Sequence, residues 1–101
     1  MIYVTIEKIK TNEQLTVLLE GRLDTSTAPL LEEELRNSLD DIKSLVLDLE
    51  KLEYLSSAGL RVVLAAQKRM SKQGKMLLKR VPEIIMDIFE VTGFVDILTI
   101  E

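Results

Sequence analysis

The segment Ser44–Leu49 constrains the fold of this chain more than any other. Its sequence, Ser-Leu-Val-Leu-Asp-Leu, is short and aliphatic, and it is apolar on both faces of an extended chain apart from Asp48. A strand of this kind is typical of the centre of a parallel sheet, where helices cover both faces. The segment therefore predicts an α/β domain in which this strand is central and is covered by helices on both sides.

Alternating apolar residues predict two further strands before this segment. The alternation runs through two sets of residues, which are Ile2, Val4 and Ile6, then Leu15, Val17 and Leu19. A polar stretch over 11–13 separates the two sets and predicts a turn, so the strands are expected to form a hairpin. Gly21 is expected to end the second strand or to form a bulge in it.

Apolar residues three and four positions apart predict three helices. They are expected over about 27–40, from the serine pair at 56–57 to Gly74, and from Pro82 to Gly93. A strand over 76–78 separates the last two helices, and the pattern over 95–100 fits either a strand or a short helix. The predicted order is β-β-α-β-α-β-α, with a mixed sheet of four to five strands and three to four helices. We expect one domain over 1–101.

Composition excludes several classes of function. The chain has no cysteine and no histidine, so disulfides, Cys-based zinc sites and a Ser-His-Asp triad are impossible. It also lacks the glycine-rich motifs of nucleotide-consuming enzymes. We therefore expect no catalytic residue, no metal and no cofactor. The net charge of -4, from 17 acidic and 13 basic residues, disfavours binding to nucleic acid.

Hydrophobic runs give no sign of a membrane protein. The longest uninterrupted aliphatic run, Val62 to Ala66, is far too short to span a bilayer. The first residues, Met-Ile-Tyr-Val-Thr, lack the basic region and long apolar stretch of a secretory signal. The sequence therefore predicts a cytoplasmic protein that does not insert into a membrane.

The serine pair before the second helix is the strongest candidate for a functional site. Ser56-Ser57-Ala58-Gly59 follows a strand that is expected to end at Leu49 and a six-residue connection. Loops at the carboxyl ends of strands bind ligands in α/β sheets, and a helix N-terminus offers unpaired N–H groups and a positive dipole end. Because Ala58 and Gly59 have little side chain, another molecule could approach the Ser57 hydroxyl closely.

A plain structural role is the alternative for these serines. Ser56 or Ser57 could simply cap the second helix, since serine is a favoured N-cap residue. A cap does not explain Gly59, because glycine in a first helical turn costs about 1 kcal/mol relative to alanine. Close approach by a partner is one reason for a glycine at that position.

The residues over 47–60 resemble the signature of the STAS domain, the fold of bacterial anti-sigma factor antagonists. The Gly21-Arg22-Leu23-Asp24 segment is similar to a second motif of that family, and Gly93-Phe94 stands where the family has a glycine before a hydrophobic residue. The resemblance covers essentially the whole chain, and the predicted order of strands and helices is similar to that of the family.

This resemblance implies a switch based on phosphorylation. An anti-sigma factor serine kinase would bind the protein and phosphorylate Ser57, which would switch off binding and so regulate sigma-factor-dependent transcription. Asp24, Ser56, Ala58 and Gly59 would contact the partner. Because the family has an aspartate where this chain has Ser56, that second hydroxyl is an alternative acceptor. A phosphoserine phosphatase would reverse the modification.

Two other functions remain open from the sequence. The resemblance is also compatible with an accessory subunit of a membrane transporter ATPase complex, which is the second choice, and with one component of a larger signalling assembly. Neither role requires phosphorylation of the serine. An enzyme is the least favoured class, because the chain lacks the histidine and cysteine that most catalytic sites use.

Overall fold

The computed structural model describes residues 3–101, so Met1 and Ile2, including the strand position expected at Ile2, lie outside the described residues. Four strands form one sheet in the order β1-β2-β3-β4. The strands are β1 (Val4–Thr11), β2 (Gln14–Leu23), β3 (Ser44–Leu55) and β4 (Lys75–Lys79). The helices are α1 (Ala28–Ser38), α2 (Ser57–Gln73), α3 (Glu83–Thr92) and a short 3-10 helix, Phe94–Asp96. The predicted α/β class and element order are confirmed.

The sheet is mixed because a hairpin precedes two crossovers. β1 and β2 pair antiparallel through a two-residue turn in which Asn12 has a φ of 56°. Asparagine tolerates this left-handed conformation better than most residues, which accounts for the tight turn. β2, β3 and β4 pair in parallel, with α1 and α2 as the connections.

β3 is longer than the sequence pattern indicates. It continues to Leu55, so the connection expected between Leu49 and the serine pair is wrong. Its register with β2 shifts twice, between Leu18 and Glu20 and between Gly21 and Arg22. Such irregularities break the period of two on which strand prediction depends. As a consequence, only Ser56 separates the end of β3 from the start of α2.

All three helices pack on one face of the sheet. Each crossover adds its next strand in the same direction, and because such crossovers are right-handed, their helices lie on the same side. Buried residues of all three helices share one core with Leu47 of β3, whereas Leu18 and Leu77 lie outside that core. Helical cover on both faces of β3 was therefore a wrong expectation. Val46, on the second face, is flanked by Thr16 and Leu77 in the neighbouring strands.

The C-terminal segment combines both structures that its pattern allowed. Gly93 ends α3 with a φ of 80°, the left-handed conformation that glycine adopts at no cost. The 3-10 helix follows, and Ile100 then forms a single parallel bridge to Leu78 beside β4. Within residues 3–101, no helix is both long enough and apolar enough to cross a membrane.

Candidate functional site

The serine pair lies where the parallel strands end. The N–H of Ser56 donates to the carbonyl of Leu23 at 2.9 Å, so the start of α2 is tied to the end of β2. Ser57 is the first residue of α2 and is exposed, whereas Ser56 is half-buried. The carboxyl edge of the sheet therefore presents the hydroxyl of Ser57 to solvent.

The two serines have different roles in the helix start. Ser56 is the N-cap, and its Oγ accepts a hydrogen bond from the N–H of Gly59 at 3.3 Å. Capping therefore explains Ser56, which satisfies one of the free N–H groups of the first turn. Ser57 makes no side-chain hydrogen bond to any of residues 3–101. Its hydroxyl is thus exposed and has no structural task.

Gly59 has an internal reason to lack a side chain. It is buried, and a Cβ built on it would lie 2.7 Å from Leu55 Cδ1 and 2.8 Å from the carbonyl oxygen of Leu23. The sequence suggested that this glycine lets a partner approach, but the structure shows that it lets α2 pack against the ends of β2 and β3. Ala58 is half-buried and packs against the core. Of the four motif residues, only Ser57 is exposed.

Asp24 shapes the loop between β2 and α1. Its Oδ1 accepts hydrogen bonds from the N–H groups of Ser26 at 3.0 Å and Thr27 at 3.2 Å. In return, Thr27 Oγ1 accepts from the N–H of Asp24 at 2.9 Å and donates to the carbonyl of Arg22 at 2.7 Å. The loop is therefore held by a closed set of local hydrogen bonds, and the Asp24 carboxylate has a fixed position beside the end of β2.

Arg22 and Tyr54 lie beside Asp24 at the ends of β2 and β3, a contact that sequence reasoning missed. The Arg22 guanidinium carbon lies 4.3 Å from the centre of the Tyr54 ring, a cation–π contact, and its Nε is 3.8 Å from the Asp24 carboxylate. The two residues are register partners on β2 and β3, so the contact depends on the part of β3 beyond Leu49. We call Arg22, Asp24, Tyr54, Ser56 and Ser57 the serine edge.

Asp48 lies on the other face of the sheet from the helices. Its side chain is buried, with Oδ1 accepting from the N–H of Glu50 at 3.1 Å and Oδ2 from Arg80 Nε at 3.0 Å and from a second Arg80 nitrogen. Burial acts to raise the pKa of this carboxyl, but the hydrogen bonds from Arg80 and Glu50 outweigh it, so the pKa lies below its usual value. Asp48 therefore joins β3 to the end of β4.

The replacement Asp48→Asn tests this interaction through its pH dependence. Because the folded pKa is below the unfolded value of about 3.9, the ionised carboxylate stabilises the fold above that pH. This stability is lost as the pH falls through the folded pKa. At neutral pH we expect Asp48→Asn to lose about 1–2 kcal/mol of unfolding free energy. The loss is limited because the Arg80 side chain of the pair is exposed to solvent.

Urea denaturation at neutral pH and near pH 3 measures this effect. The difference between the wild type and Asp48→Asn should become smaller at the acid end, since the stabilising carboxylate is progressively protonated as the pH falls towards the folded pKa. Glu50→Gln is the matched control, because Glu50 is exposed and lies 3.5 Å from Arg80. A difference for Asp48→Asn that stays constant with pH would contradict the assignment.

Solved structures share this fold. An anti-sigma factor antagonist from Mycobacterium paratuberculosis matches with a TM-score of 0.87 at 23% identity, covering 97% of this chain and 85% of that one. The antagonist SpoIIAA in its unphosphorylated form matches with a TM-score of 0.80 at 17% identity, covering 98% and 88% of the two chains. The phosphorylated form of Bacillus SpoIIAA matches with a TM-score of 0.74 at 17% identity, covering 98% and 91%. At these identities the likeness shows the fold.

Sequence relatives and a family model identify the family. A Bordetella bronchiseptica protein provisionally named anti-sigma factor antagonist BtrV is 36% identical over 99 residues, covering 96% of this chain and 84% of its own length. The anti-sigma-B factor antagonist of Bacillus subtilis is 33% identical over 94 residues, covering 91% and 86%. The model of the STAS domain matches residues 3–101. The resemblance seen in the motifs is thus confirmed, and this chain belongs to the STAS domain family.

Proposed function

We propose that this protein is an anti-sigma factor antagonist that binds an anti-sigma factor serine kinase and is released when that kinase phosphorylates Ser57. The observation that carries the proposal is the exposure of Ser57 at the first position of α2, beside a cap that Ser56 provides. The names of the relatives support the partner class. The pair of SpoIIAA structures shows that a protein of this fold exists in phosphorylated and unphosphorylated forms.

The phosphoryl transfer needs little from this chain. The Ser57 Oγ attacks the γ-phosphorus of ATP, its proton passes to a base of the kinase, and ADP leaves with the electron pair of the broken P–O bond. The kinase supplies ATP, magnesium and the base. The protein supplies an accessible hydroxyl on a rigid helix end, and it acts as a substrate rather than as an enzyme.

Ser57 is favoured over Ser56 as the acceptor. The Ser56 side chain is half-buried and holds the N–H of Gly59, so a kinase would have to break the helix cap to reach it. Loss of such a cap costs about 1 kcal/mol. The Ser57 hydroxyl requires no such rearrangement.

Phosphate on Ser57 would change binding without changing the fold. It adds about -1.5 to -2 units of charge, which the dipole of α2 stabilises by about 0.3–1 kcal/mol. At the contact with a partner, the same charge must lose its water beside the carboxylate of Asp24 and face a surface fitted to a neutral hydroxyl. A phosphoserine phosphatase would restore the binding form. We place the protein in the bacterial cytoplasm, where such a kinase finds ATP.

Intact-mass analysis after incubation with the cognate kinase and ATP tests the acceptor. The wild type should gain one phosphate, and Ser57→Ala should gain none. Ser56→Asp is the matched control, because aspartate is as good an N-cap as serine and removes only the alternative hydroxyl. It should still gain one phosphate. A Ser57→Ala protein that is phosphorylated would place the acceptor at Ser56 or elsewhere, and a Ser56→Asp protein that is not phosphorylated would point to Ser56.

A further inference from the structure

Helix α3 carries an apolar stripe that faces solvent. Ile84 is 58% exposed and Val91 is 88% exposed, and the half-buried Ile88 lies between them at helical spacing. Val95 and Ile97, in the segment that follows, are 37% and 56% exposed. We call these five residues the α3 stripe. Exposed apolar side chains that are grouped in this way mark binding surfaces more often than isolated ones do.

Apart from Ile88, which packs partly against the core, the α3 stripe is not needed to hold α3 in place. The side of the helix that faces the sheet is formed by Ile85 and Phe89, both fully buried in the core. A helix that only packs on a sheet needs one apolar side and a polar opposite side. On α3, the apolar surface continues around the helix from the core into solvent.

Acidic residues line the outer side of the α3 stripe. Four acidic residues are exposed here, which are Glu83, Asp87, Glu90 and Asp96. None of them forms an ion pair with any of residues 3–101. Helical spacing places the first three next to the stripe, on the side away from the core. Neither α3 nor the 3-10 helix contains a lysine or arginine.

A groove runs between the end of the α3 stripe and helix α2. Ile97 lines this groove together with residues of α2, among them Leu64, Gln67 and Lys68. The Oε1 atom of Gln67 is buried and accepts no hydrogen bond within the described part of the chain.

We propose that the α3 stripe is a docking surface for a basic amphipathic helix of a partner protein. Leucine-like side chains of that helix would cover the stripe, and its lysines or arginines would lie against Glu83, Asp87 and Glu90. The charge disfavours the main alternatives. A second copy that presents its own α3 stripe would bring the same carboxylates, and an anionic membrane or a nucleic acid would be repelled. The α3 stripe shares no residue with the serine edge, and the proposal does not rest on phosphorylation of Ser57.

Two synthetic peptides test the chemistry of the partner. One is an amphipathic helix with leucines on one side and lysines on the other, and the second has glutamates in place of the lysines. Each is titrated into the full chain while backbone amide signals are followed by NMR. We expect the lysine peptide to shift signals over 83–97 and the glutamate peptide to leave them unchanged. High salt should weaken the binding of the lysine peptide, since exposed charges are screened.

Variants at exposed positions separate the contribution of the apolar contact from that of the acidic residues, without disturbing the core. Val91→Gln should lower the affinity for the lysine peptide about tenfold, which is the effect of removing one buried aliphatic side chain from a contact. Ile9→Gln is the control, because Ile9 is 50% exposed on β1. The double replacement Asp87→Lys and Glu90→Lys should reverse the preference between the peptides.

Three results would overturn the proposal. They are equal binding of both peptides, shifts that fall outside α3 and the 3-10 helix, and no binding of the lysine peptide at millimolar concentration. Anionic lipid vesicles serve as a further probe, and shifts over 83–97 on their addition would assign the stripe to a membrane instead.

Discussion

Ser57→Asp is expected to weaken binding to the anti-sigma factor kinase by about a hundredfold. The replacement puts a carboxylate at the one exposed position of the motif, the first residue of α2. In a partner contact this charge must be desolvated close to Asp24, whose carboxylate is fixed by its own loop. A penalty of about 3 kcal/mol corresponds to a hundredfold change in affinity.

The fold should survive this replacement. An acidic side chain in the first turn of a helix is stabilised by the dipole, so the thermal midpoint of Ser57→Asp should stay close to that of the wild type. Ser57→Ala keeps the contact neutral and should retain wild-type affinity. These two variants therefore separate the effect of charge from the effect of losing the hydroxyl.

Ser71→Asp is the matched control for charge. Ser71 is also exposed on α2, but it lies in the last turn of the helix, far along the sequence from the serine edge. Isothermal titration with the purified kinase at one salt concentration measures all three variants. If Ser71→Asp weakened binding as much as Ser57→Asp, the loss would reflect net charge rather than a switch at Ser57.

Much of this fold could be predicted because local signals and tertiary structure agree. Pro82 and Gly93 bracket α3 as helix start and stop signals should. Residues 12 and 13 form the tight turn that the polar break between β1 and β2 indicated. The serine pair was correctly placed at a helix N-terminus, since both its polarity and the apolar spacing behind it point there.

The features of the fold and the site that could not be predicted depend on contacts between distant parts of the chain, which no local sequence pattern contains. The register shifts in β3 break its alternation, which hid the strand extension that brings Tyr54 beside Arg22. The uncovered face of the sheet follows from the direction in which strands are added, and a buried aliphatic strand looks the same in either arrangement. To predict the internal role of Gly59, one would need the position of the Leu23 carbonyl oxygen, and Leu23 lies 36 residues earlier in the chain, on a neighbouring strand.

The role of Gly59 leads to the largest expected effect on stability. A Cβ at this position would lie 2.8 Å from the Leu23 carbonyl oxygen, closer than real contacts of that kind, and 3.0 Å from Leu23 Cγ. Leu55 could shift its side chain, but the oxygen belongs to the backbone of β2 and cannot move without the strand. Gly59→Ala therefore forces the start of α2 away from the sheet.

Two opposing effects determine how much unfolding free energy Gly59→Ala loses. Overpacking a rigid site costs about 1–3 kcal/mol and occasionally more. Alanine regains up to about 1 kcal/mol over glycine as a helix former. Because the clash involves backbone, we expect a net loss near 2 kcal/mol, or a fall of about 10 °C in the thermal midpoint for a domain of this size.

Thermal unfolding and kinase binding of Gly59→Ala together distinguish the two explanations of this glycine. If Gly59 seats α2, the variant loses stability, and Ser57→Ala, an exposed alanine replacement in the same helical turn, does not. If Gly59 instead lets the partner approach, Gly59→Ala keeps the wild-type midpoint and loses affinity. The buried position of Gly59 and its contacts with Leu23 and Leu55 favour the first outcome, because a partner cannot reach a backbone that these side chains already cover.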